Sequence, residues 1–306
     1  MISQSRPRLA IVGVTASGKS SLAIALARHD PHVELVSIDS MQVYRGMDIG
    51  TAKPTMAERR EVPHHLLDLV DPWEDFSVSE FQTAAFAALA DIEARGRRPV
   101  LVGGTGLHLR AVVDALEIPG QFPEVSAGLS NLPTSDLHAE LVRLDPIAAA
   151  RMEPTNRRRV MRALEVTLGA GRPFSSFGPG LDSYPETTFR MVGVRWPREA
   201  TDARIAGRYR DQMEAGFLDE VRSLADHPRG LGRTASQALG YRQLLRHLVG
   251  ACSLSEALDA ARAATRRFAR RQERWFRRDP RITWVDVHDN PMEAWTQVMG
   301  DYEACI

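Results

Sequence analysis

Short apolar runs alternate along this chain with longer stretches in which apolar positions recur every three or four residues. The short runs lie at residues 9–12, 33–38, 99–102, 189–194 and 282–285. Runs of this length are typical of strands buried on both faces, whereas the longer stretches are typical of amphipathic helices. The alternation predicts an α/β fold built on a parallel sheet with helices on its faces.

Helix starts are marked by a serine followed three residues later by glutamate, at Ser77 and again at Ser253. This spacing is typical of a capping box, in which each residue satisfies an N–H group near the other. The first box predicts a helix that ends near Gly96, and the second predicts the last long helix, over residues 255–278. Residues 117–135 are rich in Pro, Gly and Ser and predict an irregular connection.

The last predicted helix has two unlike sides. One side carries apolar or small residues at helical spacing: Leu258, Ala261, Thr265, Phe268 and Trp275. The other side carries arginines: Arg262, Arg266, Arg270, Arg271, Arg274 and Arg277. Because like charges repel one another unless an anion binds, we expect a diphosphate or a polyanion here in preference to a merely solvated face. For a second arginine block, at residues 156–166, a solvated face and phosphate binding are equally open.

Composition and charge narrow the class of protein. The 306 residues carry no net charge, which argues against a general nucleic-acid-binding protein. Cys252 and Cys305 lack the spacing of a metal site and are expected to be reduced and incidental. No run reaches membrane length and no signal peptide is apparent, so a cytoplasmic enzyme is expected. Lys19 and Lys53 are the only lysines among 39 Lys and Arg residues, which singles out both, although chance explains Lys53 equally well.

The segment between the first strand and the first helix, residues 13–20, reads Gly-Val-Thr-Ala-Ser-Gly-Lys-Ser. This pattern in this context is the signature of a P-loop that binds a diphosphate or triphosphate. Backbone N–H groups at a helix N-terminus favour negative charge, and Lys19 adds a full positive charge. Ser20 is placed to hold a Mg²⁺ ion that bridges phosphate oxygens. The residues expected to bind the anion are Gly13, Val14, Thr15, Ala16, Ser17, Gly18, Lys19 and Ser20.

Other candidate residues follow strand ends. Asp39 comes directly after the strand at 33–38, and ligands of open α/β sheets bind beyond the carboxyl ends of the strands, so Asp39 is expected to face the phosphate site. The strand at 99–102 is followed by glycines and Thr105. P-loop kinases and ATPases usually place an acid there to hold Mg²⁺. Because this acid is missing, ATP hydrolysis is a less favoured function for this protein.

Two further polar segments follow the second strand. The loop at residues 41–54 shows no clear periodicity, and a long loop beside a P-loop is more often functional than structural. His64 and His65 have no third ligand at the spacing of a metal site. We therefore expect these histidines to be hydrogen-bonded loop residues.

Together these motifs resemble those of the bacterial tRNA dimethylallyltransferases (isopentenyl-tRNA transferases), over essentially the whole chain. The carriers of the resemblance are residues 13–20, Asp39-Ser40 with Tyr44, Gly-Met-Asp-Ile-Gly-Thr-Ala-Lys-Pro at 46–54, Gly-Gly-Thr-Gly-Leu at 103–107, Arg159 with 162–166, Gly240-Tyr241, and residues 265–277. The second, third and last of these groups are specific to the family and its close relatives, whereas the P-loop alone is not.

The resemblance implies transfer of a dimethylallyl group from dimethylallyl diphosphate to N6 of an adenine in tRNA. That adenine, at tRNA position 37, lies just 3′ of the anticodon in tRNAs that read codons beginning with U. By the same resemblance Asp39 is the base, and Thr105 helps to hold the adenine or the allylic diphosphate. Charge on the leaving diphosphate would be stabilised by Lys19, by Mg²⁺ on Ser20, and by Arg266 and Arg271.

The resemblance also implies a parallel sheet of the P-loop NTPase type, flanked by helices and carrying a small, mostly helical insertion domain that contacts the tRNA anticodon stem-loop. The implied domain bounds are 1–116 and 177–306 for the catalytic core and 117–176 for the insertion. The implied tRNA-binding residues are Asp39, Ser40, Met41, Gln42, Thr105, Arg158, Arg159, Val160, Met161, Arg162, Gln237, Gly240, Tyr241 and Arg242. No membrane contact and no protein partner is implied, so a monomer is expected.

The chain departs from the family pattern at several positions. His108 stands where tyrosine is usual, and Arg158 where glutamine is usual. The segment from Pro119 to Asp136 is shorter than usual, and Ser126 replaces an arginine. Since that segment belongs to the implied tRNA-contacting insertion, we expect a weaker hold on the anticodon arm.

Other functions remain open from the sequence. A P-loop small-molecule kinase would need ATP-dependent phosphoryl transfer and an acid at the strand end. An adenylate isopentenyltransferase would act on a free nucleotide, but the arginines at 157–162 and in the last helix favour a tRNA. An RNA-binding module without catalysis would leave Asp39 and the P-loop without a task.

Overall fold

The computed structural model of the protein describes residues 7–306, so the first six positions of the predicted segment 1–116 lie outside the described residues. The chain divides into two compact units. The larger unit comprises the residues up to Asp114 together with Glu186–Ile306, and the smaller unit comprises Ala115–Pro185. No helix in residues 7–306 combines the length and the apolar character needed to cross a membrane.

The larger unit is built on a six-stranded, all-parallel sheet in the order β3-β2-β4-β1-β5-β6. The strands are β1 Arg8–Gly13, β2 Val33–Ile38, β3 His64–His65, β4 Arg98–Gly103, β5 Phe189–Arg195 and β6 Ile282–Asp286. Every residue of β2 is buried, as expected of a strand covered on both faces. The predicted strands and the α/β fold are confirmed.

Helices cover both faces of this sheet. They are α1 Lys19–His29, α2 Met56–Glu61, α3 Val78–Ala94, α4 Gly106–Val113, α9 Arg198–Glu214, α10 Phe217–Asp226, α11 Tyr241–Leu248, α12 Leu254–Phe276 and α13 Trp295–Glu303. Residues of α1 and α13 share one apolar cluster with the sheet, whereas α3, α4 and α9–α12 contribute to the other. The capping boxes predicted at Ser77 and Ser253 are present and begin α3 and α12.

The smaller unit is helical and has its own apolar core. Its helices are α5 Pro123–Leu129, α6 Thr134–Leu144, α7 Pro146–Ala150 and α8 Arg157–Ala170. Leu137, Leu141 and Leu164 are almost fully buried in this core. Asp145 caps α7 and also accepts hydrogen bonds from the backbone and hydroxyl of Ser175, which holds the segment after α8 against the unit.

Two sequence predictions need correction. Residues 117–135 are not an irregular connection throughout, because α5 begins at Pro123, where proline is favoured in the first helical turn. The buried side of α12 was predicted only in part: Ala261 and Thr265 are buried as expected, and Leu258 and Trp275 are partly buried against the core, but Ala257, Ala269, Gln272 and Phe276 are also buried. Mostly small residues lie on this side because α12 packs closely against neighbouring helices, and Phe268 is only partly buried.

Candidate active site

The P-loop lies between β1 and α1 and is held from outside through its carbonyl groups. The carbonyl of Ala16 accepts a hydrogen bond from Nε of Arg204 at 2.7 Å, and that of Ser17 accepts one from Nε1 of Trp196 at 2.8 Å. Since the C=O and N–H of one planar peptide point in opposite directions, the N–H of Gly18 points away from Trp196. Ala16 and Gly18 both have positive φ, which turns the chain tightly at this point. These contacts leave N–H groups for an anion.

The first turn of α1 suits negative charge. Gly18 is its N-cap residue, no side chain in the described part of the chain caps the helix, and its first turn contains no acidic residue. The first N–H groups of the helix are therefore left for a ligand. A Cβ on Gly18 would lie 2.4 Å from Pro291, so a larger residue cannot take this position without a shift. Ser20 is exposed in the same turn.

Lys19 lies in the same site as two other charged side chains. Its Nζ donates to the carbonyl of Val14 at 3.2 Å. Burial lowers the pKa of Lys19 to about 8; the negative charge of Asp39 opposes this shift and the positive charge of Arg208 adds to it. Lys19 is thus mostly protonated at neutral pH, but it is the least securely protonated cation of the site.

Asp39 and Thr105 meet at the carboxyl ends of β2 and β4, which are neighbours in the sheet. Oδ1 of Asp39 accepts the N–H of Met41 at 2.8 Å, which fixes the carboxylate, and no donor in the described part of the chain bonds to Oδ2. The hydroxyl of Thr105 accepts the N–H of Ser40 at 3.2 Å. The structure therefore brings Asp39, Thr105 and the P-loop of the adjacent β1 to one edge of the sheet, as predicted.

Arg204, Arg208 and Gln272 also contact the P-loop, and the sequence had assigned none of them a role there. Arg204 and Arg208 extend from α9, and Nη1 of Arg208 donates to the hydroxyl of Thr15 at 2.9 Å. Gln272 extends from α12: its Oε1 accepts the N–H of Thr15 at 2.9 Å, and its Nε2 donates to the carbonyl of Gly104 at 2.7 Å. Their partners lie far away in sequence, so local spacing does not identify these contacts, although Gln272 belongs to the segment 265–277 that carries the family resemblance.

Arg266 and Arg271, the two α12 arginines expected nearest the diphosphate, form no hydrogen bond with residues 13–20 in the described structure. Arg266 and Arg270 each lie 3.9 Å from the carboxylate of Asp202. Arg271 is exposed, and its guanidinium lies over the ring of Phe268. Gln272 is the α12 residue that reaches the loop, and diphosphate binding by Arg266 and Arg271 stays a prediction.

Lys53 is a structural residue of the loop after β2. Its side chain is fully buried, and its Nζ donates to Asp48 at 2.7 Å and to Asp68 at 2.6 Å. Gln42 also supports this loop, accepting the hydroxyl of Ser37 and donating to backbone carbonyls nearby. The two lysines of the chain thus have different roles: Lys53 forms ion pairs through a buried side chain, and Lys19 belongs to the P-loop.

The paired histidines hold the sheet edge. Nδ1 of His64 lies 2.7 Å from the carbonyl of Val62, and Nε2 of His65 lies 2.7 Å from the buried carboxylate of Glu34. No group of three or more potential metal ligands occurs in residues 7–306. The expectation of hydrogen-bonded residues is confirmed, although His64 and His65 form the short strand β3.

His108, the departure on α4, is buried and packs edge-on against Phe81, with ring centroids 4.5 Å apart. Burial lowers the pKa of His108 to about 4, and Asp39 opposes the shift. The imidazole is therefore neutral at physiological pH, and its Nδ1 has no hydrogen-bond partner among the described groups.

The remaining predicted tRNA-binding residues of the larger unit fall into two groups. Gly240 and Tyr241 are buried at the start of α11, a position that does not favour direct contact with RNA. Gln237 and Arg242 are exposed, and Nη1 of Arg242 donates to Oε1 of Gln237 at 3.5 Å. A cavity of about 300 Å³ lies beside them, lined by Met41, Arg233, Thr234, Gln237 and Ala238.

In the smaller unit, some arginines at the start of α8 form hydrogen bonds within the unit, whereas others have no acceptor among the described residues. Arg157 donates to backbone carbonyls, and Arg162 binds Glu165. Val160 is fully buried and Met161 packs against the same core, so their predicted contact with RNA is not favoured. Arg158 and Arg159 are exposed, and no acceptor among residues 7–306 contacts their guanidinium groups.

Similarity to known proteins agrees with this geometry. The family described as IPP transferase matches residues 42–279, and the family described as isopentenyl transferase matches residues 8–68. A tRNA dimethylallyltransferase of Kineococcus radiotolerans is 48% identical over 310 residues, covering 96% of this chain and 95% of the relative. That of Thermobifida fusca is 49% identical over 309 residues, covering 97% and 96%.

Solved structures show the same fold. The full-length tRNA isopentenylpyrophosphate transferase of Bacillus halodurans is 38% identical with a TM-score of 0.70, covering 98% of each chain. A eukaryotic dimethylallyltransferase acting on tRNA is 26% identical with a TM-score of 0.81, covering 98% of this chain and 78% of that one. With a family match over most of its length and relatives nearly half identical along almost all of it, the chain belongs to the IPP transferase family.

Proposed function

We propose that this protein transfers the dimethylallyl group of dimethylallyl diphosphate to N6 of the adenine at tRNA position 37, giving N6-dimethylallyladenosine and diphosphate. The relatives named tRNA dimethylallyltransferase support the reaction class. The observation that carries the proposal is the placement of Asp39 beside a phosphate-binding loop, while the strand end that serves ATP hydrolysis in kinases carries Gly103–Thr105.

The P-loop and its surrounding cations bind the diphosphate. Backbone N–H groups near Gly18 and the N-terminus of α1 surround the anion, and Lys19 and Arg208 supply positive charge. As the bond between C1 of the dimethylallyl group and the diphosphate oxygen breaks, that oxygen takes the electron pair. Cations already in place stabilise this growing charge without reorganisation.

Asp39 serves the nucleophile. The lone pair of an exocyclic adenine amine is delocalised into the ring, so the amine attacks poorly unless its proton is accepted. Oδ2 of Asp39 lacks a hydrogen-bond donor among the described residues and is free to accept that proton while N6 bonds to C1. Thr105, whose hydroxyl lies at the adjacent strand end, helps to orient the base or the allylic diphosphate.

Mg²⁺ fits the donors present at this site. Ser20 offers an exposed hydroxyl in the first turn of α1, and the buried hydroxyl of Ser17 has no partner among the described groups. Because the strand-end acid of P-loop kinases is absent, the Ser20 hydroxyl would hold the ion together with phosphate oxygens and water. Bound there, Mg²⁺ would neutralise part of the charge on the diphosphate.

The tRNA supplies the adenine, and the base has to leave its stack to reach Asp39. In the larger unit, the exposed Gln237 lines a cavity together with Met41, and the exposed Arg242 donates a hydrogen bond to Gln237. In the smaller unit, Arg158 and Arg159 are free to bind phosphates. We expect the enzyme to act as a monomer in the cytoplasm, where tRNA is available.

The reaction is tested by incubating the protein with dimethylallyl diphosphate, Mg²⁺ and unmodified tRNA, and by analysing the nucleosides by mass. N6-dimethylallyladenosine from tRNA is expected, with Asp39→Asn as the inactive control. Parallel reactions with AMP as acceptor and with ATP as donor test the free-nucleotide and kinase alternatives. Modification of AMP but not of tRNA would overturn the proposal, and so would phosphoryl transfer without prenylation.

A further inference from the structure

Glu220 on α10 binds three consecutive peptide groups of the loop after β2. One carboxylate oxygen accepts the N–H groups of Asp48 at 2.9 Å and Ile49 at 2.7 Å, and the other accepts that of Gly50 at 3.1 Å. The hydroxyl of Tyr241 donates to the second oxygen at 2.5 Å. Hydrogen bonds to a charged acceptor are stronger than neutral ones, so Glu220 fixes this stretch of backbone.

The opposite side of the same backbone contacts α9. The carbonyl of Ile49 belongs to the peptide whose N–H binds Glu220, and it accepts Nε2 of Gln212 at 2.6 Å. The next carbonyl, that of Gly50, accepts Nη2 of Arg208 at 3.2 Å and also Nε2 of Gln212 at 3.1 Å. Both groups of the peptide between Ile49 and Gly50 are therefore bound, its N–H by Glu220 and its carbonyl by Gln212. The carbonyl of the following peptide, that of Gly50, faces Arg208.

Arg208 joins this loop to the P-loop. Its Nη2 donates to Gly50 while its Nη1 donates to the hydroxyl of Thr15 at 2.9 Å. A guanidinium is planar and presents its donors in a fixed fork, so an acceptor on one arm determines where the other arm points. The Gly50 carbonyl thus orients the cation toward the P-loop.

Packing leaves this segment little freedom. A Cβ on Gly50 would lie 2.2 Å from the ring of Phe217 and 2.4 Å from that of Tyr241. These two rings contact each other edge-on, with centroids 5.0 Å apart. The backbone at Gly50 lies directly on this aromatic pair, beside the carboxylate that binds its N–H.

We propose that Glu220 is a positioning residue for diphosphate binding: by holding the peptides of Asp48–Gly50, it places the Gly50 carbonyl that orients Arg208 toward the P-loop. This inference rests on the proposed function, in which the P-loop binds the diphosphate of the allylic substrate. Glu220 itself contacts neither substrate, and its effect passes through Arg208.

Glu220→Gln tests this role because it keeps the size of the side chain. The variant loses the charge and presents an NH₂ group to backbone donors, so the loop has to shift. We expect the KM for dimethylallyl diphosphate and the Kd for inorganic diphosphate to rise by about tenfold, the order expected when a buried donor loses its acceptor. The affinity for tRNA is expected to stay within about twofold, because the lost hydrogen bonds affect the orientation of Arg208 at the P-loop and not the residues expected to bind tRNA.

A double-mutant cycle with Arg208→Ala separates positioning from general destabilisation. If Glu220 acts through Arg208, Glu220→Gln should weaken diphosphate binding in the wild-type background and have almost no further effect once Arg208 is alanine. An equal loss in both backgrounds would overturn the proposal. Asp145→Asn is the matched control, because that carboxylate also accepts two backbone N–H groups and a hydroxyl, but in the smaller unit. It should leave the Kd for diphosphate unchanged.

Tyr241→Phe provides a second test of the role of Glu220 in case the Glu220→Gln variant does not fold. It removes one donor from the Glu220 carboxylate and leaves the three backbone contacts, so a severalfold loss of diphosphate affinity is expected, again only when Arg208 is present. The same loss without Arg208 would contradict the proposal. Failure of the wild-type protein to bind inorganic diphosphate would instead count against the proposed function, and the two failures are thereby distinguished.

Discussion

The side-chain carbonyl of Gln272 accepts a hydrogen bond from the backbone N–H of Thr15 at 2.9 Å, across 257 positions of sequence. The amide nitrogen of the same side chain donates to the carbonyl of Gly104 at 2.7 Å. Gln272 therefore joins the P-loop after β1 to the loop after β4, and α12 helps to set the distance between them. A glutamine suits this place because one contact needs an acceptor and the other needs a donor.

Gln272→Glu is expected to weaken diphosphate binding by about 10- to 100-fold. Glutamate still accepts from Thr15, but its second oxygen faces the Gly104 carbonyl and its charge repels the anion. Calorimetry with inorganic diphosphate measures the effect. Gln82→Glu is the control, since Gln82 donates to the Ala111 carbonyl in the same way. Equal affinities for the wild type and Gln272→Glu would contradict this account of the contact.

Asp39→Asn is expected to lower turnover by about two to four orders of magnitude while diphosphate and tRNA still bind. Asparagine keeps an oxygen for the N–H of Met41, so the local structure should persist. It cannot accept the proton of the adenine amine. Single-turnover rates with saturating substrates measure this loss, and a variant within a few fold of the wild type would show that Asp39 is not the base.

Lys19 predicts a pH dependence of diphosphate binding. Burial lowers the pKa of this side chain to about 8, so the cation is present below that pH and is lost as the pH rises through it. Affinity for inorganic diphosphate should accordingly fall above pH 8. In Lys19→Arg the side chain stays protonated, and the fall near pH 8 should disappear even if the affinity is lower. The same profile in both proteins would mean that another group titrates.

The sequence predicted what depends on neighbouring residues. The bounds predicted for β2 match those observed, and the helix starts at Ser77 and Ser253 follow from contacts over three residues. Spacing from strand ends also placed Asp39 and Thr105 correctly at one edge of the sheet, because parallel strands bring their carboxyl ends together.

What the sequence did not provide depends on how distant helices pack. Arg204 and Arg208 reach the P-loop across 188 and 193 positions of sequence, and nothing in the local pattern of α9 distinguishes them from its exposed arginines. On α12 the prediction included the buried Ala261 and Thr265 but missed Ala257 and Ala269, whose small side chains allow close packing. Hydrophobicity alone does not predict a helix contact made by small residues.

Arg271→Ala tests whether the exposed arginines of α12 bind anionic substrate. The guanidinium has only the ring of Phe268 as a described contact, so its charge is available to a phosphate. Loss of one phosphate contact should reduce the salt dependence of tRNA affinity by about one unit of slope. Arg277→Ala is the control, because Arg277 already pairs with Glu273. Unchanged KM values and an unchanged slope would indicate a merely solvated side.

The start of α8 allows a sharper test of tRNA binding, because its arginines differ in what they already contact. Arg157 and Arg162 use their donors within the smaller unit, whereas Arg158 and Arg159 are exposed and unpaired among the described residues. Only the latter two can bind RNA phosphates without first breaking an internal hydrogen bond. Their charges should therefore account for the contribution of this block to affinity.

Replacing Arg158 and Arg159 together with glutamine should weaken tRNA binding and lower its salt slope by about two units, since each phosphate contact releases about one counterion. The Kd for inorganic diphosphate should not change, because the P-loop lies in the other unit. Arg143→Gln is the matched control within the smaller unit, since Arg143 is also exposed but pairs with Glu140. Filter binding at several salt concentrations gives the slopes. If the double variant retained the wild-type slope, α8 would not contact the RNA backbone, and the tRNA would have to be bound by the larger unit alone.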